Sequence, residues 1–235
     1  MSTLRNWFDD LRQEGRDEAD TVLVVGLGRF GTALATTLEE LGVEVLAIDT
    51  DPDLVNKWAD RLTHVAVADG SSTAALKQLG AADFDAAVVA IGTGIEASVL
   101  ATAALGDVGC RTIWAKAITD EHRRILERVG AHHVVQPEKQ MGERVAHVVT
   151  GQVVDYFQVD ESFVLAEVRA PTAVVGETLS DSGLRQKYGV TVVSIKSPGQ
   201  QFTYATPTTV VSRDDLLVVA GTIEEIERFV RLRTD

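Results

Sequence analysis

This chain is poor in the residue types that build redox, metal and nucleic-acid sites. One cysteine, Cys110, stands among 235 residues, which excludes an intrachain disulfide and any CxxC redox or metal pair. Its expected place is in packing, as a small hydrophobe. The five histidines all lie between His64 and His147, so the segment beyond carries neither histidine nor cysteine. His132-His133 sits at a helix-to-strand junction with no HxxxH partner, and packing is expected there rather than metal binding. Basic residues are outnumbered, 22 against 35 acidic, and the net charge of −13 disfavours nucleic acid and anionic membrane as direct partners. No apolar run approaches the ~20 residues that span a bilayer. The start, Met1 to Trp7, lacks the apolar core of a signal peptide, so a cytosolic chain is expected. There is no Gly-x-x-x-x-Gly-Lys-Ser/Thr loop, which argues against ATPase chemistry of that type.

What is present is a nucleotide fingerprint. The apolar run Val22-Leu23-Val24-Val25 leads directly into Gly26-Leu27-Gly28-Arg29-Phe30-Gly31. Ala33, Leu34, Leu38 and Leu41 then recur at helical spacing, and a second apolar strand from Val43 to Ile48 ends at Asp49. Gly26 permits a tight turn, Gly28 lets the backbone approach a pyrophosphate, and Gly31 lets the helix pack on the strand. The helix start offers free N–H groups and a positive dipole end to phosphate. Asp49 falls where a carboxylate accepts from ribose hydroxyls, and it would repel the 2′-phosphate of NADP. Arg29 at a helix start is a poor match for the dipole unless an anion is bound beside it.

Strands and helices alternate from residue 21 to about 136, which predicts a parallel sheet covered on both faces. Asp51-Pro52 opens the second helix, and a strand at 65–68 ends at Asp69-Gly70. The strand Ala86 to Ile91 runs into Gly92-Thr93-Gly94, a helix covers 95–105, and Thr112-Ile113-Trp114-Ala115 ends at Lys116. Loops after the C-terminal strand ends gather at one edge, so Gly28-Arg29, Asp49, Asp69-Gly70, Ile91-Gly92-Thr93 and Lys116 should meet there. A helix from Glu138 to Val149 carries Met141, Val145, Val148 and Val149 as apolar positions, more than a solitary linker needs, and packing on another subunit is expected. The remainder reads as a small α+β domain. It has a strand at 163–168, a short helix at 184–189, strands at 190–195 and 216–220, an extended stretch at 203–211 interrupted by Pro207, and a last helix at 223–232. The expected organisation is an N-terminal arm over 1–20 with Leu4, Trp7, Phe8 and Leu11 on one helical face, a Rossmann-like domain over 21–137, a crossover helix and linker over 138–154, and the small domain over 155–235.

A nucleotide fingerprint joined to a second domain without histidine or cysteine suits a sensor better than a dehydrogenase. A small NAD-dependent oxidoreductase and an NAD(H)-binding redox sensor remain as alternatives. Four strings resemble the KtrA/TrkA family, cytosolic regulatory subunits of bacterial potassium uptake built from RCK domains. They are Gly26 to Gly31, Ala90-Ile91-Gly92 with Glu96-Ala97-Ser98, Trp114-Ala115-Lys116-Ala117, and Gly130 to Lys139, which runs on into Pro137-Glu138-Lys139-x-Met141-Gly142, the most specific part. The resemblance implies a homodimer through the crossover helix, an octameric ring below a KtrB/TrkH-like membrane subunit, and gating by competing ATP and ADP. Carried over, it implies that Arg29 reaches the terminal phosphate from its own or a neighbouring subunit, Asp49 holds the ribose, and Asp69-Gly70 with Ile91-Gly92-Thr93 flank adenine and sugar. Phe30 and Asp51 would also belong to the nucleotide site. Lys116 and His122 would line the phosphate side, Ala117 would belong to the same nucleotide site, and Glu138 would bind Mg²⁺ or Ca²⁺ beside the γ-phosphate. Asp69 is a departure shared with lobes that prefer NAD(H). Some relatives bind cyclic di-AMP between C-terminal lobes, where Arg185 would contact phosphate; from the residues alone Arg185 is an exposed helix arginine.

Overall fold

The computed structural model describes residues 19–149, 153–160 and 162–232, so the arm with Leu4, Trp7, Phe8 and Leu11 lies outside the described residues. The chain divides into two compact units between Glu138 and Lys139.

The first unit alternates as its periodicity demands: β1 (Thr21–Val25), α1 (Arg29–Glu40), β2 (Glu44–Asp49), α2 (Pro52–Trp58), β3 (His64–Val67), α3 (Thr73–Gln78), β4 (Ala86–Val89), α4 (Ile95–Val108), β5 (Ile113–Lys116), α5 (Asp120–Arg128) and β6 (His133–Val135). All pairings are parallel, in the order β3-β2-β1-β4-β5-β6. The central strands are apolar along their length because both faces are covered, and Leu23, Val24, Ala87 and Val89 are fully buried. Helix starts are set by short polar side chains. Asp51 accepts from the Asp53 N–H, Ser72 from Ala75 and Thr119 from His122. α4 runs one turn beyond the expected Leu105 and stops at Gly109, whose φ of +87° is readily adopted without a side chain. The adjacent histidines behave as packing groups: His132 Nδ1 accepts from the Ile113 N–H at 2.9 Å, and His133 stacks on Trp114 at 4.1 Å.

Helix α6 (Pro137–Val149) spans the division, with Met141, Val145 and Val149 exposed. The second unit continues with β7 (Asp155–Gln158), β8 (Phe163–Arg169), α7 (Leu179–Ser182), α8 (Leu184–Tyr188), β9 (Thr191–Lys196), β10 (Thr203–Tyr204), β11 (Leu216–Thr222) and α9 (Ile223–Val230). Its sheet is antiparallel in the order β10-β9-β11-β8-β7. Alternate residues Val164, Ala166 and Val168 of β8 face the core with Leu217 and Val219 of β11, against Ile226 and Phe229 of α9. A capping box between Thr222 and Glu225 starts α9. Three features differ from the sequence reading. β11 extends to Thr222, since α9 begins only where the capping box breaks the strand, and β7 adds an edge strand that the sequence reading leaves unassigned. The stretch 203–211 is extended only at Thr203–Tyr204. Beyond it Thr206 and Thr209 bond each other across a turn, leaving an isolated bridge from Val210 to Thr178.

The tightest backbone approach of the first unit lies at the glycine loop. Gly26, at φ +108°, donates its N–H to the Ile48 carbonyl at 2.7 Å. A Cβ on Gly31 would stand 1.9 Å from the Gly26 carbonyl oxygen, whereas one on Gly28 would meet nothing within 4 Å. Gly31→Ala should therefore lower stability by about 3 kcal/mol through overpacking, and Gly28→Ala by no more than about 1 kcal/mol. Urea denaturation followed by circular dichroism compares the two, and equal effects would contradict the steric account.

Candidate functional site

The strand order reverses direction between β1 and β4, and the C-terminal strand ends on either side of that point open a cleft of about 630 Å³. Its floor is the glycine loop, through Val25, Gly26 and Gly28. Helix α1 points its N-terminus at the cleft with no side-chain cap and no acidic residue in its first turn, so its first N–H groups are available to an anion. Asp49, at the end of β2, braces this loop. One carboxylate oxygen accepts from the Leu27 N–H at 2.7 Å and the other from the Asp51 N–H at 3.0 Å. Each oxygen keeps lone-pair capacity for a hydroxyl donor. Asp69, at the end of β3, accepts from both the backbone N–H and the hydroxyl of Ser71, and these bonds hold its carboxyl below the usual range.

Charge is sorted along the edge by strand order. Asp69, Asp49 and Asp51 line the β3–β2 half, while Arg29 at α1 and Lys116 at β5 line the other half, with Glu138 following β6. Lys116 is held on three sides. Its Nζ donates to Glu138 Oε1 at 2.6 Å, lies 5.6 Å from the Phe30 ring centroid, and sits against Gly92, where a Cβ would come within 3.1 Å of it. The Lys116 bond, reinforced by the charge of Arg29, keeps the Glu138 carboxyl below its ordinary range. Among the described residues Arg29 has no ion-pair partner within 4 Å, and no three His, Cys, Asp or Glu side chains cluster as a protein-only metal site requires. A cation held here would therefore need ligands from outside the protein, with the carboxylate of Glu138 as one donor from the cleft wall.

Thirteen of the sequence-selected residues line this one cleft: Gly26, Gly28, Arg29, Phe30, Asp49, Asp51, Asp69, Gly70, Ile91, Gly92, Thr93, Lys116 and Glu138. Gly31, Ala117 and His122 do not. Gly31 acts beneath the loop, and Ala117 is buried in the core of the sheet. His122 is 1% exposed at the start of α5. Its Nδ1 accepts from the Ile118 N–H at 3.3 Å, so the neutral ring carries its proton on Nε2, a buried atom without a partner among the described residues. Desolvation pushes its pKa down. Leu54, Ala68, Ser71 and Ala97 also line the cleft. The motif template passes over them, although Ala68 and Ser71 follow β3 while Leu54 and Ala97 sit in the first turns of α2 and α4, the helices that leave the same edge. Arg185 lines a separate hollow of about 380 Å³ in the second unit and donates to Thr191 Oγ1 at 3.1 Å.

The TrkA-N domain family matches residues 22–137 and the TrkA-C domain family residues 163–233. Over 207 residues the chain is 41% identical to the Ktr system potassium uptake protein C of Bacillus subtilis (strain 168), covering 88% of this chain and 94% of that one. The chain belongs to the Ktr/TrkA family. Ktr system potassium uptake protein A of the same organism is 33% identical over 92% of this chain and 97% of its own, and that of Vibrio alginolyticus 32% over 84% and 90%. Among solved structures, the GsuK RCK domain superposes with a TM-score of 0.65 at 17% identity, covering 97% of this chain. The GsuK channel bound to NAD gives 0.61 at 18% identity, again over 97% of this chain. The chain spans about half the length of these solved chains, 52% and 43%. At such identities they establish that this family member has the RCK fold.

The buried neutral His122 gives a pH test. Its folded pKa lies below its ordinary 6.5, so the unfolded chain binds the proton more readily. Its contribution to stability is complete above that value and is lost as pH falls below it, with a slope of at most about 1.4 kcal/mol per pH unit. Urea midpoints measured between pH 7.5 and 5.5 should fall in the native chain and stay flatter in His122→Gln.

Proposed function

We propose that this chain is a nucleotide-binding, non-enzymatic regulatory subunit of a bacterial potassium uptake system. The observation that carries the reading is the charge order along the cleft: an uncapped helix start with Arg29 and Lys116 on one side, and the carboxylates Asp49, Asp51 and Asp69 on the other. That order suits an adenine nucleotide lying across the switch point, its ribose hydroxyls toward Asp49 and its phosphates toward α1 and Lys116. ATP and ADP are the ligands proposed, and Arg29 the group that distinguishes them, since a permanent planar cation makes charge-assisted bonds to an additional phosphate. With ATP, Glu138 would share Mg²⁺ or Ca²⁺ with the terminal phosphate. The naming of the Ktr relatives as potassium uptake proteins supports a partner in the membrane, and no helix among the described residues is long and apolar enough to cross it alone. The exposed Met141, Val145 and Val149 of α6 support a homodimer through that helix, assembling into the octameric ring of the family and working at the cytosolic face. Cyclic di-AMP is proposed for the hollow that contains Arg185. The absence of histidine and cysteine from the sequence after His147 supports a switch rather than a reaction.

A second reading, an NAD(H)-binding redox sensor, is favoured by Asp69 beside Asp49, which offers a second carboxylate to an adenosine ribose. Calorimetric titration with ATP, ADP and NADH decides between them. Under the first reading ATP displaces NADH, and Arg29→Ala weakens ATP by tenfold or more, about 1.4 kcal/mol. Unaltered ATP affinity in that variant would remove the role given to Arg29.

A further inference from the structure

The Lys116–Glu138 pair is unequal. The lysine side chain is 8% exposed and the glutamate 61%. Phe30, Gly92 and the end of β5 enclose the ammonium, so the cation is fixed in the cleft wall. The carboxylate reaches it from the first turn of α6, on the solvent side. A buried ammonium requires an anionic partner, and losing one leaves a costly uncompensated charge. Glu138 meets that requirement in the position from which Lys116 would otherwise address a phosphate.

On the reading of this cleft as a nucleotide site, we propose that Glu138 is a built-in competitor for ligand phosphate, and so a specificity-determining residue. A phosphate that engages Lys116 displaces the carboxylate, which turns to solvent on its exposed side. Without a divalent cation that displaced charge lies near the incoming phosphates and opposes them, and Arg29, whose field acts on Glu138, is shared between the two anions. With a divalent cation the released carboxylate gains a partner. The same residue therefore penalises cation-free nucleotide and favours the cation-bound form, and the preference grows with the number of phosphates near it.

The test is ADP binding to the full chain in EDTA, by calorimetry and by the ligand-induced rise in Tm. Glu138→Gln should bind ADP about three- to tenfold tighter than the native chain, the range expected for removing a partly exposed ionic competitor. ADP should also raise its Tm further, because the ligand then supplies the anion that Lys116 lacks. Glu138→Ala should behave alike. In a Lys116→Met background Glu138→Gln should bring no such gain, since the carboxylate has nothing to compete for. Native chain that binds ADP while Glu138→Gln binds it equally or more weakly overturns the competitor role alone. A gain that persists in the Lys116→Met background overturns it too, leaving only general repulsion by the carboxylate. Native chain that binds neither ADP nor ATP overturns the nucleotide reading and this inference with it.

Discussion

The close passage of Gly31 across the carbonyl of Gly26 sets the geometry of everything at the ligand edge. At that distance a methyl group has no room, so the chain turns from β1 into α1 within four residues and the helix starts directly over the strand end. Two consequences follow. The N–H groups of the first turn of α1 face outward at the switch point, and the two residues after Gly28, namely Arg29 and Phe30, become part of the cleft wall. Asp49 then ties the loop to the neighbouring strand through the Leu27 N–H. The loop is therefore held by backbone and carboxylate bonds that do not depend on a ligand, which limits the ordering cost of binding.

Around that fixed point the sheet distributes charge. Because β2 and β3 lie on one side of β1 and β4, β5 and β6 on the other, residues distant in sequence are sorted by strand order. Asp49, Asp51 and Asp69 gather on one half of the edge, and Arg29 and Lys116, with Glu138 beside them, on the other. A ligand with a neutral, hydroxyl-bearing end and an anionic end can lie across such a cleft in only one favourable direction. Orientation thus arises from topology before any individual contact is made.

The two units answer different physical demands. The first is a doubly covered parallel sheet whose strands read as continuous apolar runs, and its boundaries were legible for that reason. The second is a small antiparallel sheet in which alternation, turns and side-chain bonding among threonines decide the pattern. There the sequence reading left the edge strand Asp155–Gln158 unassigned and made too long a strand of 203–211. Thr206 and Thr209 carry good strand propensity, yet their hydroxyls bond each other and the backbone across a turn. Local bonding overrode propensity.

What the sequence by itself determined is the Rossmann-like half: the glycine spacing, the acid after β2 and the order of strands, each a local pattern with a steric or periodic cause. It also marked most of the cleft wall, because strand ends in such a fold converge on one edge. Only the tertiary structure decided that His122 turns into the core while Lys116, six residues earlier, faces the ligand edge. Neighbouring positions separate in this way because the strand ends at Lys116 and the cap at Thr119 redirects the chain into α5. Only the tertiary structure brought Glu138 to Lys116, across 22 residues and an intervening helix and strand. A buried cation and its exposed partner are a relation between elements, and no periodicity within either element encodes it.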